Sequence, residues 1–379
     1  MLHRREFIRT ASAFAGSALL LPAAFGGCAV KPEFAMTAQA ADAMDEALTL
    51  MAKFAPLGNH APMAVESLIA LGRADRAIPF IEKYEKRFNV GHPAAVSPIT
   101  TSNWKEALGR GERNLDWVNF FKRQLTEADW KPVVEEWAGI LAPGLCAAAG
   151  HGVIRTCHAL RSLSNRQTNL RLNELAEGLG YWAAYYQPLP ESSVRPVEAF
   201  SLPDAVKRVP MLPDDKRRRG SIMDQLRALD DFAAFGDVIN SVKVSGKADA
   251  VISQLTEVFV RVYLERVTPA NDLILIHAVT ATSGIRSLLP YLTPETTDRV
   301  LRYGWQTAAA LLSISGDHPA VQRALEPELK IEDLTDRAVS SNEEHAIKFT
   351  EACIREQRLN PNPIYQQAAT DAVRRLPRH

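Results

Sequence analysis

The chain has 379 residues, of which 46% are hydrophobic, and its 44 Lys and Arg are balanced by 44 Asp and Glu. That length and apolar content allow one large domain or two ordinary ones with a substantial core. The balanced charge leaves no global field to draw in nucleic acid or an acidic membrane surface, and argues against both as partners. The most basic run, Lys216-Arg217-Arg218-Arg219, is offset by Asp214, Asp215 and Asp224 and reads as a solvated turn.

The first 28 residues read as a targeting segment rather than as part of the fold. Arg4-Arg5 followed by Phe7-Ile8 and an apolar stretch to Phe25 has the pattern of a twin-arginine export signal. The stretch is short and rich in Ala and Gly, which disfavours a transmembrane helix. Two exits fit. Gly26-Gly27-Cys28 matches a lipoprotein cleavage site except for Phe25 where Leu is usual, and Ala38-Gln39-Ala40 matches ordinary small-x-small cleavage. The expectation is an exported, periplasmic protein, touching a membrane only through a lipid anchor if Cys28 is modified. Residues 29–40 then form a tether and residues 41–379 the domain. Cys146, Cys157 and Cys353 lack C-x-x-C spacing and sit on apolar faces, so neither a disulfide framework nor a thiolate zinc site is expected.

From residue 41 onward helical periodicity dominates and no convincing alternating strand occurs, so the expected class is all-α. Helices are predicted over 41–54, 60–71, 77–88, 114–124 and 127–141, with Asn59 capping the second and Pro62 in its first turn. Pro143-Gly144 starts a central helix predicted to run to Leu163, in which Arg155 is the only formal charge between Trp137 and Leu160. A helix over 169–186 ends at Pro188 and Pro190. The Pro-rich stretch 188–213 reads as an irregular excursion or lid. Helices follow near 221–232, 248–265, 273–289, 294–313, 343–356 and 361–376. Gly178-Leu-Gly180 falls inside a helix, so there is no Rossmann motif, and no nucleophile elbow is present either. A pocket for NADPH therefore has no recognisable motif. Tyr181, Trp182, Tyr185 and Tyr186 form two i,i+4 aromatic pairs that suit a core or a flat pocket.

Histidines embedded in apolar helical segments carry the chemistry. His60 opens the segment NHAPMAVESLIALG. His151, Arg155 and His158 lie at i, i+4 and i+7, on one stripe of the central helix. His277, with Thr280 one turn on, lies in an uncharged run of 13 residues from Leu273 to Ile285. His345 and Lys348 share a face with Phe349 and Ala352. A buried imidazole needs a partner, which for each could be a backbone carbonyl, a carboxylate or a metal. No H-E-x-x-H or paired E-x-x-H motif is present, and Glu344 could hold Lys348 as an ordinary surface pair. Single histidines from several helices nonetheless suit the interior of a helical bundle, where imidazole can hold iron, zinc or copper.

Four separated segments, NHAPMAVESLIALGRADRA, LAPGLCAAAGHGVIRTCHALRSL, ELAEGLGYWAAYYQPLP and HAIKFTEACIRE, resemble in order the questin oxidase-like family. The likeness runs from about Ala41 to Leu376. It implies an all-helical oxygenase that uses dioxygen to open or oxygenate the ring of an anthraquinone or related polyketide-like aromatic substrate, without a flavin domain. It also implies non-haem iron held by histidines and a modified lysine, at the positions His60, His151, His277, His345 and Lys348. Arg155, His158 and Thr280 are the catalytic candidates, with Arg155 expected to hold a phenolate or quinone oxygen. The chain departs from the fungal pattern at H-P-x-I-H, where it has His151-Gly-Val-Ile-Arg155, and this bears on the substrate more than on the metal. The competing reading is a catalytically silent, exported ligand-binding lipoprotein of the same fold.

Overall fold

The computed structural model describes residues 36–52, 60–86, 94–193, 199–243, 246–316 and 328–376. Arg4, Arg5, Cys28 and Asn59 lie outside these residues. The described residues are helical with no named strand, only one isolated parallel bridge between Phe200 and Val242. All of them belong to one compact unit that runs from Pro32.

An N-terminal group comprises α1 (Ala38–Met51), α2 (Ala61–Ala70) and α3 (Ala77–Glu85). Helix α1 starts inside the segment expected to be a tether. Thr37 Oγ1 accepts the Ala40 N–H as its cap, and Ala41, Met44, Ala47, Leu48 and Met51 turn one face inward. Next come α4 (Trp104–Ala107), α5 (Asn114–Glu127), α6 (Trp130–Leu141), α7 (His151–Asn165) and α8 (Asn169–Ala184). Two short helices, α9 (Leu202–Val206) and α10 (Ile222–Leu226), precede α11 (Ala248–Arg266), α12 (Asp272–Ile285) and α13 (Pro294–Ile314). The chain ends with α14 (Ile331–Ser341), α15 (Glu344–Leu359) and α16 (Pro363–Arg375).

The central helix begins at His151, eight residues later than Pro143 suggested. Residues 142–150 instead form a 3-10 turn and a left-handed turn, because Ala148, Ala149 and Gly150 take φ of 50°, 60° and 87°. Helix α14, acidic in its first turn, went unseen in the sequence. The 188–213 stretch is a strap rather than a lid. Gln306 and Ser313 of α13 donate to the Pro190 and Pro210 carbonyls, and Leu189, Leu202 and Leu212 are core residues. Residues 194–198 of the strap are outside the described ones.

Glycines set the closest helix contact. A Cβ on Gly152 of α7 would lie 2.7 Å from Trp182 Cα, and one on Gly178 of α8 would lie 2.9 Å from the Thr156 backbone. Gly178 and Gly180 are therefore packing residues, and Trp182 is fully buried with its Nε1–H donating to the Gly144 carbonyl at 3.0 Å. Helix α12 is the innermost element, buried continuously from Ile274 to Ile285. Asp272–Tyr291 is apolar and long enough to cross a membrane, but 83% of its most apolar window is buried against the rest of the chain, as in a core helix.

Four helices close into a ring: α2 packs on α7, α7 on α12, α12 on α15, and α15 back on α2. A buried charge network clips three of them together. Arg161 of α7 donates to Glu66 of α2 at 2.8 Å and to Glu351 of α15 at 2.6 Å, while His158 Nδ1 donates to Glu66 at 2.6 Å. Burial would raise the Glu66 carboxyl, but Arg161 and His158 outweigh it and hold the group down at about 2. Breaking such a network by removing one partner costs about 3–5 kcal/mol.

Candidate metal centre

Each helix of the ring contributes one histidine. His60 occupies the cap position of α2, with its backbone N–H donating to Tyr84 Oη at 2.8 Å. His151 is the first residue of α7, His277 lies in the second turn of α12, and His345 lies in the first turn of α15. Three of the four thus stand at helix N-termini, where the dipole disfavours a cationic imidazole. The rings form a closed circuit. Centroids are 4.5 Å apart for His60 and His151, 4.5 Å for His151 and His277, 5.3 Å for His277 and His345, and 5.0 Å for His345 and His60. One nitrogen from each of His60, His151 and His345 lies within 4.8 Å of the others.

The outer nitrogens are all tethered. His151 Nδ1 lies 2.6 Å from the Ala148 carbonyl, and His277 Nδ1 lies 2.6 Å from the Leu273 carbonyl. A carbonyl only accepts, so both Nδ1 atoms carry the proton and both Nε2 atoms are bare. These two bare nitrogens face each other at 3.0 Å. Burial first, then neighbouring imidazoles and Lys348, push both histidines well below their ordinary value, so no proton sits between them at neutral pH. Two lone pairs held face to face call for a cation. Two imidazole nitrogens each about 2.1 Å from one ion stand roughly 3.0–3.4 Å apart, so the observed spacing fits a metal.

The strained turn before α7 has a local reason. Left-handed Ala148 and Ala149 are costly for residues with a Cβ, yet this turn supplies the carbonyl that orients His151. Carboxylates do the same for the other pair. Glu343 Oε1 lies 2.8 Å from His345 Nδ1 while its Oε2 accepts the Ala346 N–H at 2.7 Å, and Glu344 Oε1 lies 3.4 Å from His60 Nδ1. Tethering of the outer nitrogen by a carbonyl or carboxylate is how metal-bound imidazoles are generally oriented. Burial and the adjacent Glu344 push the Glu343 carboxyl up to about 7.

Lys348 is on the same face of α15 as His345 and is 2% exposed, so the surface ion pair with Glu344 does not describe it. Its Nζ makes no hydrogen bond among the described residues. Burial pulls its ammonium down to about 8 against the opposing pull of Glu344 and Glu343. Its charge bears on both His151 and His277, which puts it beside the cluster.

The structure gives the three catalytic candidates partners elsewhere. Seven residues of helix rise place His158 about 10 Å along α7 from His151, and it pairs with Glu66 instead. Arg155 donates from Nε and Nη2 to the two oxygens of Glu174 on α8, at 2.7 and 2.8 Å. An already neutralised guanidinium is a poorer seat for a phenolate than an unpaired one would be. Thr280 donates to the Ile276 carbonyl at 3.0 Å, so its proton is used within α12. Glu66, Glu174, Glu343 and Glu344 were the residues missed. Glu66 had a signal, as the only charge in the apolar helix Ala61–Ala70, and Glu343 and Glu344 had one as acids directly before His345.

A model of the Questin oxidase-like family matches residues 57–353, which include all four imidazoles, Lys348 and the ring of four helices up to Cys353 of α15. No curated protein matches the chain. With more than three-quarters of its length matched, the chain belongs to the Questin oxidase-like family.

Proposed function

We propose that this chain is an iron-dependent oxygenase of a polycyclic aromatic or quinone substrate, with His60, His151, His277 and His345 holding the metal and Lys348 completing the set. Membership of an oxidase-like family implies an oxidoreductase, and a redox reaction favours iron over zinc among the metals that suit imidazole. The observation that carries the reading is the pair of bare Nε2 atoms facing each other at 3.0 Å. Iron bound there would supply dioxygen activation. The chain's own residues hold the imidazoles neutral and aimed inward through the Ala148 and Leu273 carbonyls and through Glu343 and Glu344. Glu343, poised near neutrality and in contact with His345, can take up or release a proton as charge at the cluster changes. Inserting one oxygen atom of dioxygen leaves the other to become water, which consumes two electrons and two protons. NADPH, for which the chain has no Rossmann motif, or another two-electron reductant would supply the electrons. The protein acts after export by the twin-arginine route, in the periplasm or on a lipid anchor at Cys28.

The test is metal analysis of protein purified without nickel affinity or added metal. About one iron per chain is expected, and each of His60→Ala, His151→Ala, His277→Ala and His345→Ala should lose most of it while retaining its helical circular dichroism. Full iron in all four variants, or a parent that neither carries nor takes up iron, refutes the assignment and leaves a ligand-binding protein of this fold.

A further inference from the structure

Helix α3 supplies none of the four imidazoles, yet one of its side chains reaches the backbone of one of them. His60 is held differently from the other three histidines. The Nδ1 atoms of His151, His277 and His345 meet a carbonyl or carboxylate oxygen at 2.6, 2.6 and 2.8 Å. His60 Nδ1 lies 3.4 Å from Glu344, a looser tether for its ring. Its backbone is also the cap of α2 rather than part of the helix body. A cap N–H has no acceptor within its own helix. For His60 the acceptor is Tyr84 Oη of α3, at 2.8 Å.

Tyr84 is a stiff support. It is 1% exposed, its ring stacks on Phe80 with centroids 5.7 Å apart and planes 28° apart, and α3 packs on both α1 and α2. A phenol oxygen is placed by two side-chain torsions, and buried packing locks both. The His60 ring in turn stacks on the His151 ring, with centroids 4.5 Å apart and planes 12° apart. Any shift of the His60 backbone is therefore carried into that stack.

We infer that Tyr84 is a positioning residue of the imidazole cluster. Its hydroxyl fixes the His60 backbone, and through it the place of the His60 ring, so that the site retains its metal. The inference rests on the metal reading and adds to it a residue from a fifth helix. Losing an outer partner of a ligand generally lowers metal affinity by about 10–100-fold, which sets the size of the effect.

The test uses the whole protein stripped of metal, with cobalt(II) alone as the probe. Tyr84→Phe keeps the ring and removes the acceptor. Ile81→Val, at a buried position of the same helix, thins the packing of α3 and keeps the hydroxyl. Hydrogen exchange of the His60 amide is read without metal. The visible spectrum of the cobalt form and the rate at which cobalt passes to excess EDTA are read with it. In Tyr84→Phe the amide should exchange at least ten-fold faster, the spectrum should differ from the parent's, and cobalt should leave at least ten-fold faster. Ile81→Val should melt lower but match the parent in all three. Unchanged exchange in Tyr84→Phe overturns the hold on His60. Faster exchange with the parent's spectrum and release rate leaves Tyr84 as a cap of α2 alone and overturns its positioning role. Release from Ile81→Val as fast as from Tyr84→Phe overturns it too, because loosening α3 would then suffice. A parent that takes up no cobalt sinks the metal reading and this inference together, whereas the other failures leave the metal reading standing.

Discussion

Single residues show how far isolated chemistry can be read and where it fails. His60 and His277 were legible as lone imidazoles in apolar stretches, which mark buried groups that need a partner, whereas His151 shares its helix with His158 and His345 follows two glutamates. The partners were not legible, since Glu344 meets His60 from the far end of the chain and the Ala148 carbonyl is presented by a left-handed turn that no periodicity announces. For Lys348 the residues alone offered a surface pair with Glu344 one turn before it while the family resemblance implied a ligand, and both side chains are buried. An ammonium among imidazoles would repel a metal, so Lys348 can join the set only as its neutral amine, which burial brings within reach. A neutral amine can add carbon dioxide and release a proton, which would give a carbamate whose oxygens are hard anionic ligands much like those of Glu. Lys348→Arg should therefore lose most of the iron, and Lys348→Glu should keep more than Lys348→Arg does, both read by metal analysis. A Lys348→Arg variant with full metal and activity would show that the lysine only fills space.

At the level of helices, most elements were visible from their apolar spacing, and the misses have physical causes. Pro143-Gly144 looked like a helix start, but the segment they open is spent turning the chain so that His151 begins a helix. Helix α14 is short and largely exposed, yet Ile331, Leu334, Ala338 and Val339 stand at helical spacing, so its period was legible and was missed. The stripe of His151, Arg155 and His158 lies on one helix as expected, and its members find different partners because α7 touches α12, α8 and α2 in turn. The clip between α2, α7 and α15 makes the ring sensitive to acid. Glu66 titrates at about 2 in the fold against an ordinary 4.5, so its contribution is complete above pH 4.5 and is lost as pH falls towards 2. That shift is worth on the order of 3 kcal/mol. His151, His277 and His158 also have lowered values, and folding with them neutral loses ground once the unfolded chain begins to take up protons, below about pH 6.5. The melting temperature of the metal-free protein should decline below pH 6.5, with Glu343, held at about 7 in the fold, offsetting part of that loss, and should fall more steeply below pH 4.5. Glu66→Gln should be less stable at neutral pH and show a shallower decline below 4.5. A curve for that variant running parallel to the parent's in this last range would mean that Glu66 does not carry the steep limb.

For the molecule as a whole, the proposed metal site constrains the order in which folding, loading and export would occur. Residues 60, 151, 277 and 345 meet only when four helices have closed their ring, so the site does not exist in an unfolded chain. The three cysteines of the described residues are free and buried, so this unit has no disulfide to wait for in an oxidising compartment. A chain of this kind would suit a route that carries folded proteins, and Arg4-Arg5 ahead of an apolar stretch has the pattern on which that route is proposed. Exchanging both arginines for lysine keeps the charge and removes the recognition pair. The Arg4→Lys/Arg5→Lys precursor should accumulate in the cytoplasm, and it should already contain iron when purified from there. Export of that variant at the parent's level would refute the twin-arginine route. A cytoplasmic precursor that is folded by circular dichroism yet empty of metal would instead place loading after transport.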